Sequence, residues 1–91
     1  MNVTIQTTPP VSASRPGRLI GIGAIRGALS PNAENATCRV SLDNGDGNFS
    51  ILFTVPPLGV EVVIEDGGET IFSGAVVSCN LSSVCDLECQ A

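Results

Sequence analysis

The sequence predicts a small all-β protein, an antiparallel barrel or sandwich of five or six strands with a flexible N-terminal arm. The apolar residues are mainly Val, Ile, Leu and Cys and only 3% of the chain is aromatic, a composition that suits pleated sheets. Several segments alternate apolar and polar residues, as half-buried strands do. Turn-forming residues separate these segments, and no strand–helix–strand rhythm indicates a parallel sheet.

The length of the chain limits it to one folding unit. With 91 residues, it has room for a single small core. Apolar residues make up 43% and charged residues 14%, a balance that favours folding over disorder. We therefore expect an N-terminal strand and arm over residues 1–16 and one β-barrel domain over residues 17–91.

The N-terminal third is predicted to contain two strands. The segment 2–7, NVTIQT, is the first of them, and the stretch 7–17, TTPPVSASRPG, is the most loop-like part of the chain. In the segment 17–30, glycines would weaken a helix by about 1 kcal/mol each relative to alanine. A bent strand is expected there instead.

The remaining strands follow from alternation. Segment 36–42 places its apolar residues on one face, and segment 85–91 does the same. Between them, strands 60–65 and 70–81 form a hairpin whose second strand is bent or bulged at Gly74. Turns are predicted at Pro9-Pro10, Pro31-Asn32, Asn44-Gly45, Pro56-Pro57 and Asp66-Gly67.

Composition argues against several classes of function. The net charge is −5 and the chain has no Lys, so it lacks the cationic surface that nucleic acids require. It also has no His to act as a base near neutral pH, and an enzyme is not expected. No apolar run reaches the ~18 residues of a membrane span and no export signal is evident at the N-terminus, so we expect synthesis in the cytoplasm and no membrane insertion.

The acidic, glycine-rich segment Asp43–Gly47 has two interpretations. Asp43 and Asp46 could contribute oxygen ligands to calcium. The spacing does not match an EF-hand loop, because Gly45 and Gly47 occupy alternate ligand positions and Thr54 stands at the twelfth. A turn that leaves the strand 36–42 is favoured, and no metal or other cofactor is predicted.

The four cysteines also allow more than one role. Cys79, Cys85 and Cys89 lie near the C-terminus, and Cys38 lies in the strand 36–42. Their spacing fits a zinc site poorly, whereas alternation places them on inward faces, where free cysteine is common. Cys85 and Cys89 are too far apart along a strand to form a disulfide with each other.

Three sequence motifs follow one another in order between residues 40 and 76. The first is V-x-L-D-N-x-D-G at residues 40–47. The second is P-P-L-G-x-x-V at 56–62, and the third is D-G-x-x-x-x-F-x-G-x-V at 66–76. This ordered series resembles the tail-tip and baseplate hub proteins of tailed bacteriophages. Together with the elements around the motifs, the resemblance covers about two-thirds of the chain.

The resemblance implies a non-enzymatic structural protein of the phage virion. Family members use such a β-barrel module in rings that stack around the tail axis. This chain would then be a hub or adaptor that assembles with copies of itself and with other tail or baseplate proteins. The alternative from the residues themselves is a free-standing β-module that binds a small ligand or calcium.

Two further hypotheses follow from a place in the virion. Residues 1–15 would be an arm that adds to a neighbour's sheet edge. One or more of Cys79, Cys85 and Cys89 would form disulfides between subunits once the particle leaves the reducing cytosol. Cys89 is the preferred candidate, because chain ends are often exposed.

Overall fold

The computed structural model describes residues 1–27 and 36–91, and they form one antiparallel sheet with a short helix. The strands are β1 (Asn2–Ile5), β2 (Val11–Ser14), β3 (Leu19–Arg26), β4 (Thr37–Asp43), β5 (Glu61–Asp66), β6 (Glu69–Leu81) and β7 (Val84–Gln90). The helix α1 (Asn48–Leu52) lies between β4 and β5. The order across the sheet is β2-β1-β5-β6-β7-β4-β3. The turn expected at Pro31-Asn32 lies outside the described residues.

The all-β class is confirmed, but the strand number and the barrel or sandwich architecture were wrong. Seven strands, not five or six, belong to one sheet, and the described residues of its edge strands β2 and β3 are not paired with each other. The sheet is therefore open. Alternation along a strand determines which side chains share a face, whereas closure depends on the tilt and stagger of all the strands together.

The N-terminal segment is part of this sheet, which corrects the expectation of a flexible arm. β1 pairs with both β2 and β5, and Val3 lies opposite Ala13 on one side and Ile64 on the other. Val3 and Ile5 are almost completely buried. The additional strand β2 has the sequence VSAS, which alternates apolar and polar residues over only four positions between prolines, too short a run to indicate a strand.

The strands β4 and β7 confirm the two alternating segments. They pair in register, with Cys38 opposite Cys89, Val40 opposite Leu87 and Leu42 opposite Cys85. All six of these side chains have 0% exposure. The predicted inward faces of these strands therefore meet in the core.

The hairpin of β5 and β6 turns through Gly67 and Gly68, both with positive φ, as a tight two-residue hairpin turn demands. β6 continues through Gly74, and its register shifts lie opposite Ile64/Glu65 and at Val76/Ser78 instead. A Cβ atom at Gly74 would lie 2.7 Å from the carbonyl oxygen of Gln90. Gly74 thus permits close backbone approach rather than a bulge.

One core is enclosed by the sheet and α1. Buried side chains from every strand form a single cluster with Phe49 of α1 and Phe53 just after it. The rings of Phe49 and Phe53 stack with centroids 5.9 Å apart. Since edge and central strands contribute to the same cluster, the sheet must curve around it.

Candidate functional site

The segment Asp43–Gly47 forms the turn between β4 and α1. The Asp43 Oδ1 accepts a hydrogen bond from the backbone N–H of Gly45 at 2.9 Å, and the Asp46 Oδ1 accepts one from Asn48 at 3.0 Å. Gly47, at φ 74°, precedes the first residue of the helix. The two carboxylates therefore satisfy backbone donors at the turn and the start of the helix.

Arg18 lies beside this turn and pairs with Asp46. Its guanidinium donates two hydrogen bonds to the Asp46 carboxylate, one of them 2.9 Å long, and lies 5.7 Å from the centre of the Phe49 ring. The Arg18 hydrogen bonds, followed by that from Asn48, hold the pKa of Asp46 well below its usual range. The ion pair therefore links the residue just before β3 to the turn that leads into α1.

The calcium interpretation of Asp43 and Asp46 gains no geometric support. A guanidinium already occupies the Asp46 carboxylate, and its positive charge opposes a cation at the same place. Within residues 1–27 and 36–91, no group of three or more Cys, Asp or Glu side chains is arranged to hold a metal ion. The contacts of Asp43 and Asp46 are those of a backbone turn and of an ion pair.

Asn44 is a buried connection that sequence reasoning missed. Its Nδ2 donates to the Ser50 Oγ at 2.9 Å and to the Ser82 carbonyl at 2.7 Å, and its Oδ1 accepts from the Phe49 backbone at 2.8 Å. The side chain is 3% exposed. One amide thus joins β4, α1 and the turn between β6 and β7. Nothing in the sequence distinguishes it from an ordinary turn asparagine.

The cysteines are free thiols in two neighbouring groups. Cys38 and Cys89 lie opposite each other in β4 and β7, and Cys79 of β6 lies diagonally across from Cys85 of the paired strand β7. Burial raises the pKa of Cys38 to about 11 and those of Cys85 and Cys89 to about 12, with smaller effects from the neighbouring thiols on the latter two. Cys79 is only half-buried.

This burial changes the preference among the candidates for a disulfide between subunits. Cys85 and Cys89 have 0% exposure and cannot meet a neighbouring chain while the sheet is folded. Cys79, being partly exposed, can reach one. Cys89 lies near the chain end, but its place in the paired strand β7 buries it.

An exposed apolar surface is the other feature that the sequence analysis did not identify. It comprises Ile51 and Leu52 of α1 with Val55 and Leu58 of the following loop, and these side chains are 50–81% exposed. Beside Leu52, a cleft of about 360 Å³ is lined by residues 7–11. The segment 51–60 is mostly apolar in sequence, and only Phe53 and Pro57 of its members are buried in the structure.

No helix in the described part of the chain has the length and apolar character needed to cross a bilayer. Comparisons with protein-family models, with curated proteins and with solved structures gave no match.

Proposed function

We propose that this protein is a non-enzymatic structural component of a bacteriophage tail, located at the tail tip or baseplate as a hub or adaptor. It assembles into a ring with copies of itself and with other virion proteins through strand and apolar contacts. The observation that carries the proposal is the exposed apolar surface of Ile51, Leu52, Val55 and Leu58, on a chain with the ordered motifs of residues 40–76.

The apolar surface is costly for a free monomer and useful in an assembly. Burial of apolar area contributes roughly 25 cal/mol per Å², and contiguous exposed apolar patches on soluble proteins mark interaction sites. The neighbouring cleft lined by Pro9, Pro10 and Leu52 continues this surface. A subunit of a ring would cover both, and a small domain would gain stability from that contact.

The test is the mass and shape of the purified protein in solution. Light scattering and electron microscopy, with and without reductant and calcium, should give a ring or a concentration-dependent oligomer. Val55→Asp and Leu58→Asp place charges on exposed positions of the apolar surface and should abolish higher-order assembly without unfolding the domain. Asn80→Asp, a charge at an exposed site of β6, is the matched control.

The outcomes separate the proposal from the binding-module alternative. A compact monomer that changes only on addition of calcium would refute assembly and favour a calcium-binding module. Assembly that survives both apolar-surface substitutions would refute the role given to that surface. To test the location, purified tailed-phage particles from a host that carries this gene should contain the protein, and its absence from intact particles would refute a place in the virion.

A further inference from the structure

The two edges of the open sheet are protected to different degrees. β2 has four residues and lies between Pro10 and Pro16; short edge strands and proline both discourage pairing with another chain. β3 has eight residues, no proline, and one charged side chain, Arg26, at its end. Among the described residues, β3 is thus the edge open to an added strand.

β3 also exposes apolar side chains along this edge. Ile20 is 47% exposed and Ile25 is 49% exposed, while Ile22 packs partly against the core. Register shifts beside Ile20 and Ile25 leave the four residues between them, 21–24, in regular pairing with β4. This regular stretch is long enough to form a ladder with a further strand.

Two glycines in β3 have no explanation within the monomer. Gly21 and Gly23 do not have positive φ, and a Cβ atom at either would meet no atom within 4 Å. Glycine inside a strand is less stable than alanine by roughly 0.5–1 kcal/mol, and it often marks a place where another chain approaches. At Gly74, by contrast, the internal contact with Gln90 accounts for the glycine.

The bare backbone at these glycines leaves a shallow groove on the outer face of the sheet. Gly21, Gly23 and Ile25 line it together with Arg39 and Ser41 of β4, and its volume is about 300 Å³. Gly21 provides an empty space and Ile25 an exposed apolar side chain. Both lie two residues from Gly23, in opposite directions along the strand.

We propose that β3 pairs antiparallel with β3 of a second copy of this chain, with Gly23 on the two-fold axis. In this register each Ile25 is opposite Gly21 of the other copy and fills the space above it, and Ile22 is opposite Ala24. Arg26 faces Ile20, so the two arginines stay apart at opposite ends of the contact. The equal spacing of Ile25 and Gly21 from Gly23 makes the strand complementary to itself, which a two-fold interface requires.

This inference does not depend on the proposed function, because a free-standing module would pair in the same way. The first test is sedimentation equilibrium of the whole chain in reductant over a dilution series, in the Val55→Asp/Leu58→Asp background that removes higher-order assembly, where a monomer–dimer equilibrium is expected. Gly21→Val fills the space and Ile25→Ala removes the side chain that enters it. Each should raise the dimer Kd at least about tenfold.

Matched controls distinguish this contact from a general effect on folding. Ser12→Val places the same side chain on the other edge strand, and Val77→Ala truncates a residue of β6 that is as exposed as Ile25, at 49%. Both should leave the dimer Kd unchanged. The combined variant Gly21→Val/Ile25→Ala should lose less affinity than the two single effects added together, since the two positions contact each other.

A crosslink tests the register. Gly23→Cys in a Cys79→Ser background should give a covalent dimer on mild oxidation, in which two thiols lose their protons and two electrons to an added small disulfide that is reduced to its thiols. Ser12→Cys in the same background should stay monomeric. The inference is overturned if the wild-type chain is monomeric throughout, if Ser12→Cys crosslinks equally, or if the dimer is indifferent to Gly21→Val and Ile25→Ala. If Val55→Asp loses higher-order rings but keeps the dimer, the result supports the role of the apolar surface in ring assembly and a separate dimer contact at β3.

Discussion

At the scale of single residues, Asn44 shows how one buried amide can hold three parts of the chain together. Its three hydrogen bonds reach Ser50, Phe49 and the Ser82 carbonyl. Asn44→Ala would leave the buried N–H of Phe49 without its acceptor and remove the two part-buried bonds to Ser50 and Ser82, and we expect a loss of about 1–3 kcal/mol in the free energy of unfolding. Urea denaturation measures it. Asn48→Ala, an exposed position of α1, should change stability far less, and equal effects would contradict the role of Asn44.

The pair of Arg18 and Asp46 should make stability depend on pH. Because the folded pKa of Asp46 lies below its unfolded value, which is about 3.9, the stabilisation is complete above that value and is lost as the pH falls through the folded pKa. Asp46→Asn keeps the acceptor for the Asn48 backbone but removes the charge. It should lower Tm at neutral pH, and the difference from wild type should shrink in acid.

Thermal unfolding followed by circular dichroism over a pH series measures this effect. The control is Glu69→Gln, which removes a carboxylate from the exposed first residue of β6. If the difference in Tm between Asp46→Asn and wild type stays constant into strong acid, the charge of Asp46 is not the source of the stabilisation.

The thiols should differ in reactivity according to burial. The thiolate is the reactive form. Burial raises the pKa of all four thiols, but Cys79 is partly exposed to a reagent while the other three are buried. A maleimide should therefore modify Cys79 first in the folded protein and the other three only after unfolding. Mass spectrometry of native and denatured samples counts the modified sites, and Cys79→Ser should remove the fast reaction. Rapid native labelling of Cys89 would contradict its burial and restore it as a candidate for a disulfide between subunits.

At the scale of the elements, β1 is the part whose role changes most from the sequence-based expectation. Ile5 is 1% exposed in the core, so Ile5→Ala should cost about 2–5 kcal/mol in the free energy of unfolding. Ile51→Ala on the exposed face of α1 is the control, and it should stay within about 0.5 kcal/mol of wild type. Chemical denaturation measures both. A small effect of Ile5→Ala would mean that β1 behaves as the flexible arm expected from the sequence.

The elements predicted correctly are those with a strong local pattern. β4 and β7 alternate over seven residues each, and their inward faces are the buried ones. The helix α1 was missed because five residues, NFSIL, are too few to display a helical period. β2 was missed because its pairing with β1 decides its conformation, and strand preference depends strongly on context.

At the scale of the whole molecule, the curved open sheet explains why the candidate interaction sites lie where they do. Buried side chains from all seven strands form one core, which requires the sheet to bend around it. The sheet leaves β2 and β3 as edges, while α1 and the loop after it carry exposed apolar side chains. The β3 edge and the apolar surface consist of different residues, so an assembly can form contacts through both.

The sequence by itself determined the all-β class, the inward faces of β4 and β7, the hairpin of β5 and β6, and the turn at Asp43–Gly47. These depend on alternation and on local backbone preferences, which neighbouring residues encode. Only the tertiary structure decided that the sheet is open, that β1 belongs to it, that Cys89 is buried and that Asn44 joins three segments. Each of these depends on which distant strands come together, and the free energy of that choice comes from packing over the whole core rather than from any short stretch of sequence.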